Sequence, residues 1–451
     1  MRVLLVQPYT FTVRGLPQPP LALMYLAGYA EQRGHEVKIL DRNLETNARK
    51  IIHDFAPEVV GITSLTGEMI LDGIKISRYV REQFPDAKIV WGGVHASILP
   101  ESTLDNDFID VVVIGEGEET FADLLDALRH NRPLQDIKGI AFKEGSQIII
   151  NERRPFIKDL DSLPLLAWHL IRPEKYLKYE TLLLTSRGCP HRCSFCYNRK
   201  YHFGRWRGMS APRVKAEIDH ALSFHPIRRF RFDDDNFTVN KKRFYEILDF
   251  LPKDIPLYFE TRVDYVDEYF CQRLSEFKDP FLFIGVESGD EEMLKKLCKD
   301  ITVSQIYAAY ELINKYHLQS SASFIIGIPG ETRAQLDKTL AMIDAIKPTR
   351  PSCCIYIPFP GALLTEELYQ KNQLPRRNTL QDWAKDAEVA SGFQYSEIPN
   401  AELNSIYQRY WRKLIYNFIL TGRLKWIFIG FTNLITNYFR LALRIINQDI
   451  R

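Results

Sequence analysis

The chain has 451 residues, seven cysteines and a formal net charge of +2, with 45% hydrophobic and 26% charged residues. That length exceeds one ordinary domain, the balance suits sizeable cores, and the near-neutral charge removes any general reason to expect nucleic acid as a partner. No cysteine precedes Cys189, so a secreted disulfide framework is not expected; with an N-terminal apolar run of only four residues, too short for a signal peptide, the expected compartment is the cytoplasm.

In chain order, VLLVQP, LALMYLAGYAEQRG and EVKILD read as strand, helix, strand. PEVVGITSL, the segment 69–84 and AKIVWGGVH repeat the pattern, and DVVVIGEGEETFADLLDAL adds a further strand and helix. Continuous Val, Ile and Leu strands alternating with helices predict a parallel sheet covered on both faces. The strands end in small residues: Pro8, Gly61 with Thr63 and Ser64, Gly92 with Gly93, and Gly115 with Gly117. Ligands of such folds lie at the carboxyl ends of the strands, where small residues let backbone approach a bulky group. Tightly turning loops are the plainer alternative. No GxGxxG follows the first strand, which argues against an NAD site.

Residues 138–156 predict a small β-hairpin, and the Pro-punctuated stretch after it reads as linker. From Thr181 the alternation resumes with TLLLTSRG, IRRFRFDDD, PLYFETRVD, PFLFIGVES, SASFIIGIPG and CCIYIPFPG. Six strands separated by helices predict a partial barrel, with reactive groups at the strand ends. Cys353 and Cys354 end the sixth strand, so alternation turns one of them into the barrel, where a thiol could donate a hydrogen atom or touch substrate. The alternative is a small buried apolar residue. The tail carries eight Lys and Arg between residues 401 and 451 against Glu402 and Asp449, interleaved with aromatics. That composition suits either an interfacial helix on anionic lipid or a helical cap on the barrel; Asn433, Asn437, Arg440 and Arg444 argue against a membrane span.

The run SRGCPHRCSFCYN sets Cys189, Cys193 and Cys196 in a CxxxCxxC pattern directly after a predicted strand. Zinc would need a fourth ligand, and His191 sits in a loop too short to reach around the same ion. A cubane cluster on three thiolates accounts for the run more simply, leaving one iron open to a small molecule.

With these residues the chain resembles the radical SAM proteins that carry an N-terminal cobalamin-binding domain, among them the anaerobic magnesium-protoporphyrin ester cyclases and cobalamin-dependent methylases. The resemblance spans residues 1 to about 370, through PPLALMYLAGYAEQRGHEVKILD, VVGITSLT, VWGGVHASILPE, VIGEGEETF, CPHRCSFCYN, FDDDNFT, ETRVD, GVESG, FIIGIPGET and PFPGALL. It implies an α/β chain: a Rossmann-like cobalamin-binding domain at 1–135, a linker with a hairpin at 136–179, a partial (β/α)6 radical SAM barrel at 180–379 and a helical C-terminal region at 380–451. It also implies a 4Fe-4S cluster on Cys189, Cys193 and Cys196. S-adenosylmethionine (SAM) would be bound by Phe195, Asp234, Asp235, Arg262, Glu287, Ser288, Gly327 and Gly330. Helix capping by the aspartates, and a salt bridge from Arg262 to Glu260 or Asp264, are the structural alternatives. Cobalamin would lie against Thr63, Ser64, Gly92, Gly93, Gly115 and Gly117. The DxHxxG motif that supplies an axial histidine is absent; His95 is a candidate cobalt ligand, or a hydrogen-bonding residue of the loop.

The function implied is methylation of an unactivated carbon, with a non-methylating cyclisation or rearrangement as the alternative and a non-catalytic sensor as the contrasting class. Partners implied are a small-molecule or lipid-like substrate and a one-electron reductant such as flavodoxin or ferredoxin, with peripheral contact of the tail on the inner membrane face.

Overall fold

The computed structural model describes residues 1–10, 17–178, 180–384 and 393–420. The described residues divide into two compact units, one from the described part of 1–175 with 376–384, the other from the described part of 176–375 with 393–420.

The first unit is built on a seven-stranded sheet: β1 (Arg2–Gln7), β2 (Glu36–Asp41), β3 (Val59–Thr63), β4 (Lys88–Gly92), β5 (Val111–Val113), β6 (Ile140–Glu144) and β7 (Gln147–Ile150), in the order β2-β1-β3-β4-β5-β6-β7. The first five are parallel, and Val3 to Val6 of β1 are wholly buried, as strands covered on both faces must be. Gly61 admits Leu5 and Phe121 where a Cβ would stand, so helix Glu118–Arg129 beds closely on the sheet. The strand order reverses at β1, with β2 on one side and β3 on the other, and in sheets of this kind ligands lie at the carboxyl ends of the two strands that flank such a switch.

Two features differ from the sequence reading. The hairpin β6–β7 is no detached linker: β6 pairs antiparallel with β5 and extends the sheet. Part of the C-terminal region returns to this unit, where helix Leu380–Ala384 packs on helix Glu68–Gln83, Gln381 donates to Asn106 at 3.3 Å and Arg377 stacks over Trp383.

The second unit holds six parallel strands, β8 (Thr181–Leu183), β11 (Phe230–Phe232), β12 (Leu257–Thr261), β13 (Phe281–Glu287), β14 (Gln319–Ile326) and β15 (Arg350–Ile355), in that spatial order. A two-residue ribbon, β9 (Ser186–Arg187) against β10 (Arg207–Gly208), closes the base of the excursion that carries the cysteines. The outer helices are capped locally. Thr302 with Gln305, and Thr332 with Gln335, form capping boxes, and Ser210 caps Ala211–Leu222. Helix Asn400–Leu420 packs on β15, the cap alternative for that stretch. Residues 421–451, on which the membrane reading chiefly rests, lie outside the described residues. Among the described residues no helix is long and apolar enough to cross a membrane.

Candidate active site

The cysteine loop leaves β8 and is fastened at both flanks. Gly188, at φ +80, passes so close to the Arg205 carbonyl that a Cβ would stand 2.2 Å from it, so only glycine fits. Ser194, which sequence reasoning missed, ties the loop down: its amide and hydroxyl reach the Leu297 and Lys296 carbonyls at 2.9 Å, and its carbonyl accepts from Leu364. Nothing distinguishes this serine from its neighbours in sequence, because its partners lie more than one hundred residues away.

The three thiols influence one another's ionisation. Burial pushes Cys189 up to about 11 and Cys196 up to about 12, and raises Cys193 as well. Left to themselves these thiols keep their protons; bound iron would displace them. Among the described residues no three Cys, His, Asp or Glu side chains close around a point tightly enough for a single metal ion. Three thiols on one loop, close enough to sense one another's charge, supply the donor set that a cubane cluster takes. His191 is turned away, its Nε2 3.2 Å from the Tyr265 hydroxyl, and adds no fourth ligand.

Around the thiols the expected SAM residues divide. Asp235 is reached by water yet enclosed by protein. It accepts from the Gly188 amide and the Asn198 side chain and feels Cys189 and Cys196, and burial raises its carboxyl. Arg262 is buried, its Nε on Asp264 at 2.9 Å and Nη2 on the Lys299 carbonyl at 2.6 Å, leaving Nη1 3.9 Å from Cys193 Sγ. The salt bridge to Asp264 thus exists, and it aims the guanidinium at the cysteine loop. Glu287 sits at φ +73 beside a register shift in β13, held at 2.8 Å by Lys299. Gly285 leaves that ion pair its space, since a Cβ there would meet both side chains. Lys299 is the second residue missed in sequence; it follows a helix and carries no motif. Phe195 is half-buried on the loop.

Asp234 and Ser288 do not face this site. Asp234 is 0% exposed, its carboxylate accepting from the Thr185 amide and hydroxyl and from Ser186, with Arg243 nearby; burial lifts it to about 6. It welds β8 to β11. The Ser288 hydroxyl is buried against Thr339, 3.2 Å away. Gly327 serves packing, since Leu403 of helix Asn400–Leu420 fills the place of a Cβ at 2.6 Å; Gly330 lies beside Lys296. On β15, Cys353 is buried on the face toward Tyr410, whereas Cys354 shares the opposite face with Ser352 and senses Glu287. Cys354 is the thiol that faces into the barrel. Cys353 meets the small-buried-residue alternative, packed on the side of helix Asn400–Leu420.

At the strand ends of the first unit, Thr63, Gly92, Gly93 and Gly117 are partly exposed. Gly93, at φ +88, lies where a Cβ would strike the Ser64 backbone and Thr63 Oγ1, so these turns interlock. Ser64 is fully buried, its hydroxyl on the Gly92 carbonyl; Gly115 is buried too, its amide donating to Ser97 and the Arg153 guanidinium lying over it. These two brace the floor rather than surface it. Leu65, 50% exposed between them and Thr66, presents an apolar side chain there and was not singled out in sequence. The His95 ring is 0% exposed, its Nδ1 3.0 Å from Thr66 Oγ1 and its edge toward Trp383; burial lowers it to about 4. Enclosed in this way the ring meets Thr66 and Trp383, the hydrogen-bonding alternative for this loop residue. A glycine-floored, partly apolar surface of this kind fits a large flat macrocycle.

Residues 10–125 match the B12 binding domain family, and residues 183–343 match the radical SAM superfamily. The chain is 32% identical to "Uncharacterized methyltransferase PH0819" of Pyrococcus horikoshii, covering 91% of each chain. It is 26% identical to the anaerobic magnesium-protoporphyrin IX monomethyl ester cyclase of Cereibacter sphaeroides, covering 90% of this chain and 69% of that one. In fold it is similar to the radical SAM methyltransferase TsrM of Kitasatospora setae, solved with tryptophan and a SAM analog, at a TM-score of 0.71 and 20% identity over 82% of this chain and 76% of that one. The chain belongs to the radical SAM family whose members carry a B12-binding domain, the family of the cobalamin-dependent radical SAM methyltransferases.

Proposed function

We propose that this protein methylates an unactivated carbon of a small molecule. The carrying observation is the cysteine loop: three half-buried thiols that sense one another's charge, with His191 turned toward Tyr265. When bound, the cluster with SAM supplies a 5′-deoxyadenosyl radical, and cobalamin supplies the methyl group.

The chain's own residues bind, orient and shield. Asp235 offers a carboxylate beside Cys189 and Cys196 for an ammonium group. Arg262, locked by Asp264 and the Lys299 carbonyl, suits a carboxylate. The Glu287–Lys299 pair fixes a charged wall near Cys193 and Cys354. Thr63, Leu65, Gly92, Gly93 and Gly117 would carry the cobalamin. The basic, aromatic composition of residues 401–451 supports an amphiphilic substrate or contact with a membrane face.

The 26%-identical cyclase supports a second reading, oxidative cyclisation with the same cofactors. Anaerobic reconstitution tests the shared part: the protein should take up a four-iron cluster and cleave SAM to 5′-deoxyadenosine under dithionite. Cys193→Ala should abolish both. A variant that still cleaves SAM, or a wild type that binds no cluster, overturns the assignment.

A further inference from the structure

Between residues 187 and 207 the sequence holds six Arg and Lys and no Asp or Glu, in a protein whose net charge is only +2. Some of these cations have partners, as Arg192 does on Asp300 at 3.0 Å. Arg199, Lys200 and Arg205 do not: all three are exposed, and none forms an ion pair among the described residues. Phe203, 52% exposed at φ +54, stands among them and adds apolar ring surface to the patch. The patch begins three residues after Cys196. A run of ring contacts, Tyr197 to Tyr201 at 6.5 Å and Tyr201 to His202 at 4.6 Å, leads from that cysteine toward it.

We propose that Arg199, Lys200, Phe203 and Arg205 form the docking surface for a small acidic one-electron carrier protein. The inference rests on the cluster assignment above and adds a partner surface to it. Three unpaired cations around one exposed aromatic ring give complementary charge at the rim and an apolar anchor at the centre, the arrangement of a transient protein interface. A near-neutral molecule gains little long-range attraction from its total charge, so a local patch must steer the encounter. The step itself moves one electron and makes or breaks no bond. The carrier's anionic flavin hydroquinone is oxidised to the neutral semiquinone, and the cluster is reduced by one electron.

The test uses the holoenzyme with a purified acidic flavodoxin as probe. Binding of the oxidised flavodoxin is titrated at low and high salt, and cluster bleaching by its hydroquinone is timed beside bleaching by dithionite. Arg199→Glu/Lys200→Glu/Arg205→Glu should weaken binding about tenfold or more at low ionic strength and remove its salt dependence. Flavodoxin-driven bleaching should slow in step, and dithionite-driven bleaching should stay unchanged. The neutral set Arg199→Gln/Lys200→Gln/Arg205→Gln should fall between, and Phe203→Ser should weaken binding without altering the salt slope. Unchanged flavodoxin binding in the charge-reversed protein overturns the proposal. So does loss of binding to anionic lipid vesicles with flavodoxin binding intact, which would give the patch to a membrane. A wild type that dithionite cannot reduce would instead defeat the cluster assignment.

Discussion

His95 and the aspartate pair show what position in a motif conceals. His95 follows two glycines at a strand end, where a ligand would be expected, yet its ring is enclosed by Thr66 and Trp383. Trp383 lies nearly three hundred residues downstream, and no local pattern announces its return. Burial holds His95 neutral to about pH 4 in the folded state, whereas the unfolded chain protonates it near 6.5. Between those values the unfolded state binds more protons, so this contribution favours unfolding increasingly as pH falls from 6.5 to 4, by up to about 3 kcal/mol. Urea melts across that range should show a shallower acid loss for His95→Gln than for wild type, and the optical spectrum of bound cobalamin should stay unchanged. Asp234 and Asp235 are adjacent and chemically identical in sequence; only the twist of the strand end sends one into packing and the other toward the thiols. Asp234→Ala should cost about 3 kcal/mol, because it strips partners from Thr185, Ser186 and Arg243. Asp235→Asn should leave stability near wild type and raise the Kd for SAM about tenfold, measured by calorimetry on the reconstituted protein.

Strands and helices were far more legible than their contacts. All six barrel strands stood out as apolar runs ending in charged or glycine-rich turns, because a parallel strand buried on both faces leaves a continuous pattern. The hairpin β6–β7 was visible as a hairpin, but the pairing of β6 with β5 was not, since an edge hairpin reads the same docked or free. At Gly327 the missing Cβ makes way for Leu403, a contact no local pattern announces, so helix Asn400–Leu420 and β14 are fitted to each other. Gly327→Ala meets both positive φ and that clash and should destabilise by about 2 kcal/mol. Leu403→Ala should cost about 3 kcal/mol by leaving a cavity. The double variant should cost less than the sum, because shortening Leu403 relieves the clash. Additive losses in denaturant melts would mean the two residues do not press on each other.

For the whole molecule, the two units carry two candidate cofactor surfaces of unlike character. One is a glycine-floored sheet edge with an apolar Leu65; the other is a thiol loop ringed by Asp235, Arg262, Glu287 and Lys299. The family was legible because the motifs that build these surfaces are local; the substrate was not, because no local pattern in the sequence is tied to one substrate chemistry. Methylation consumes SAM in two ways, whereas cyclisation consumes it in one. The decisive measurement is therefore the product balance of the anaerobic holoenzyme turning over its substrate. The methyltransferase account predicts that S-adenosylhomocysteine and 5′-deoxyadenosine accumulate together in comparable amounts. Accumulation of 5′-deoxyadenosine with product but without S-adenosylhomocysteine would contradict it.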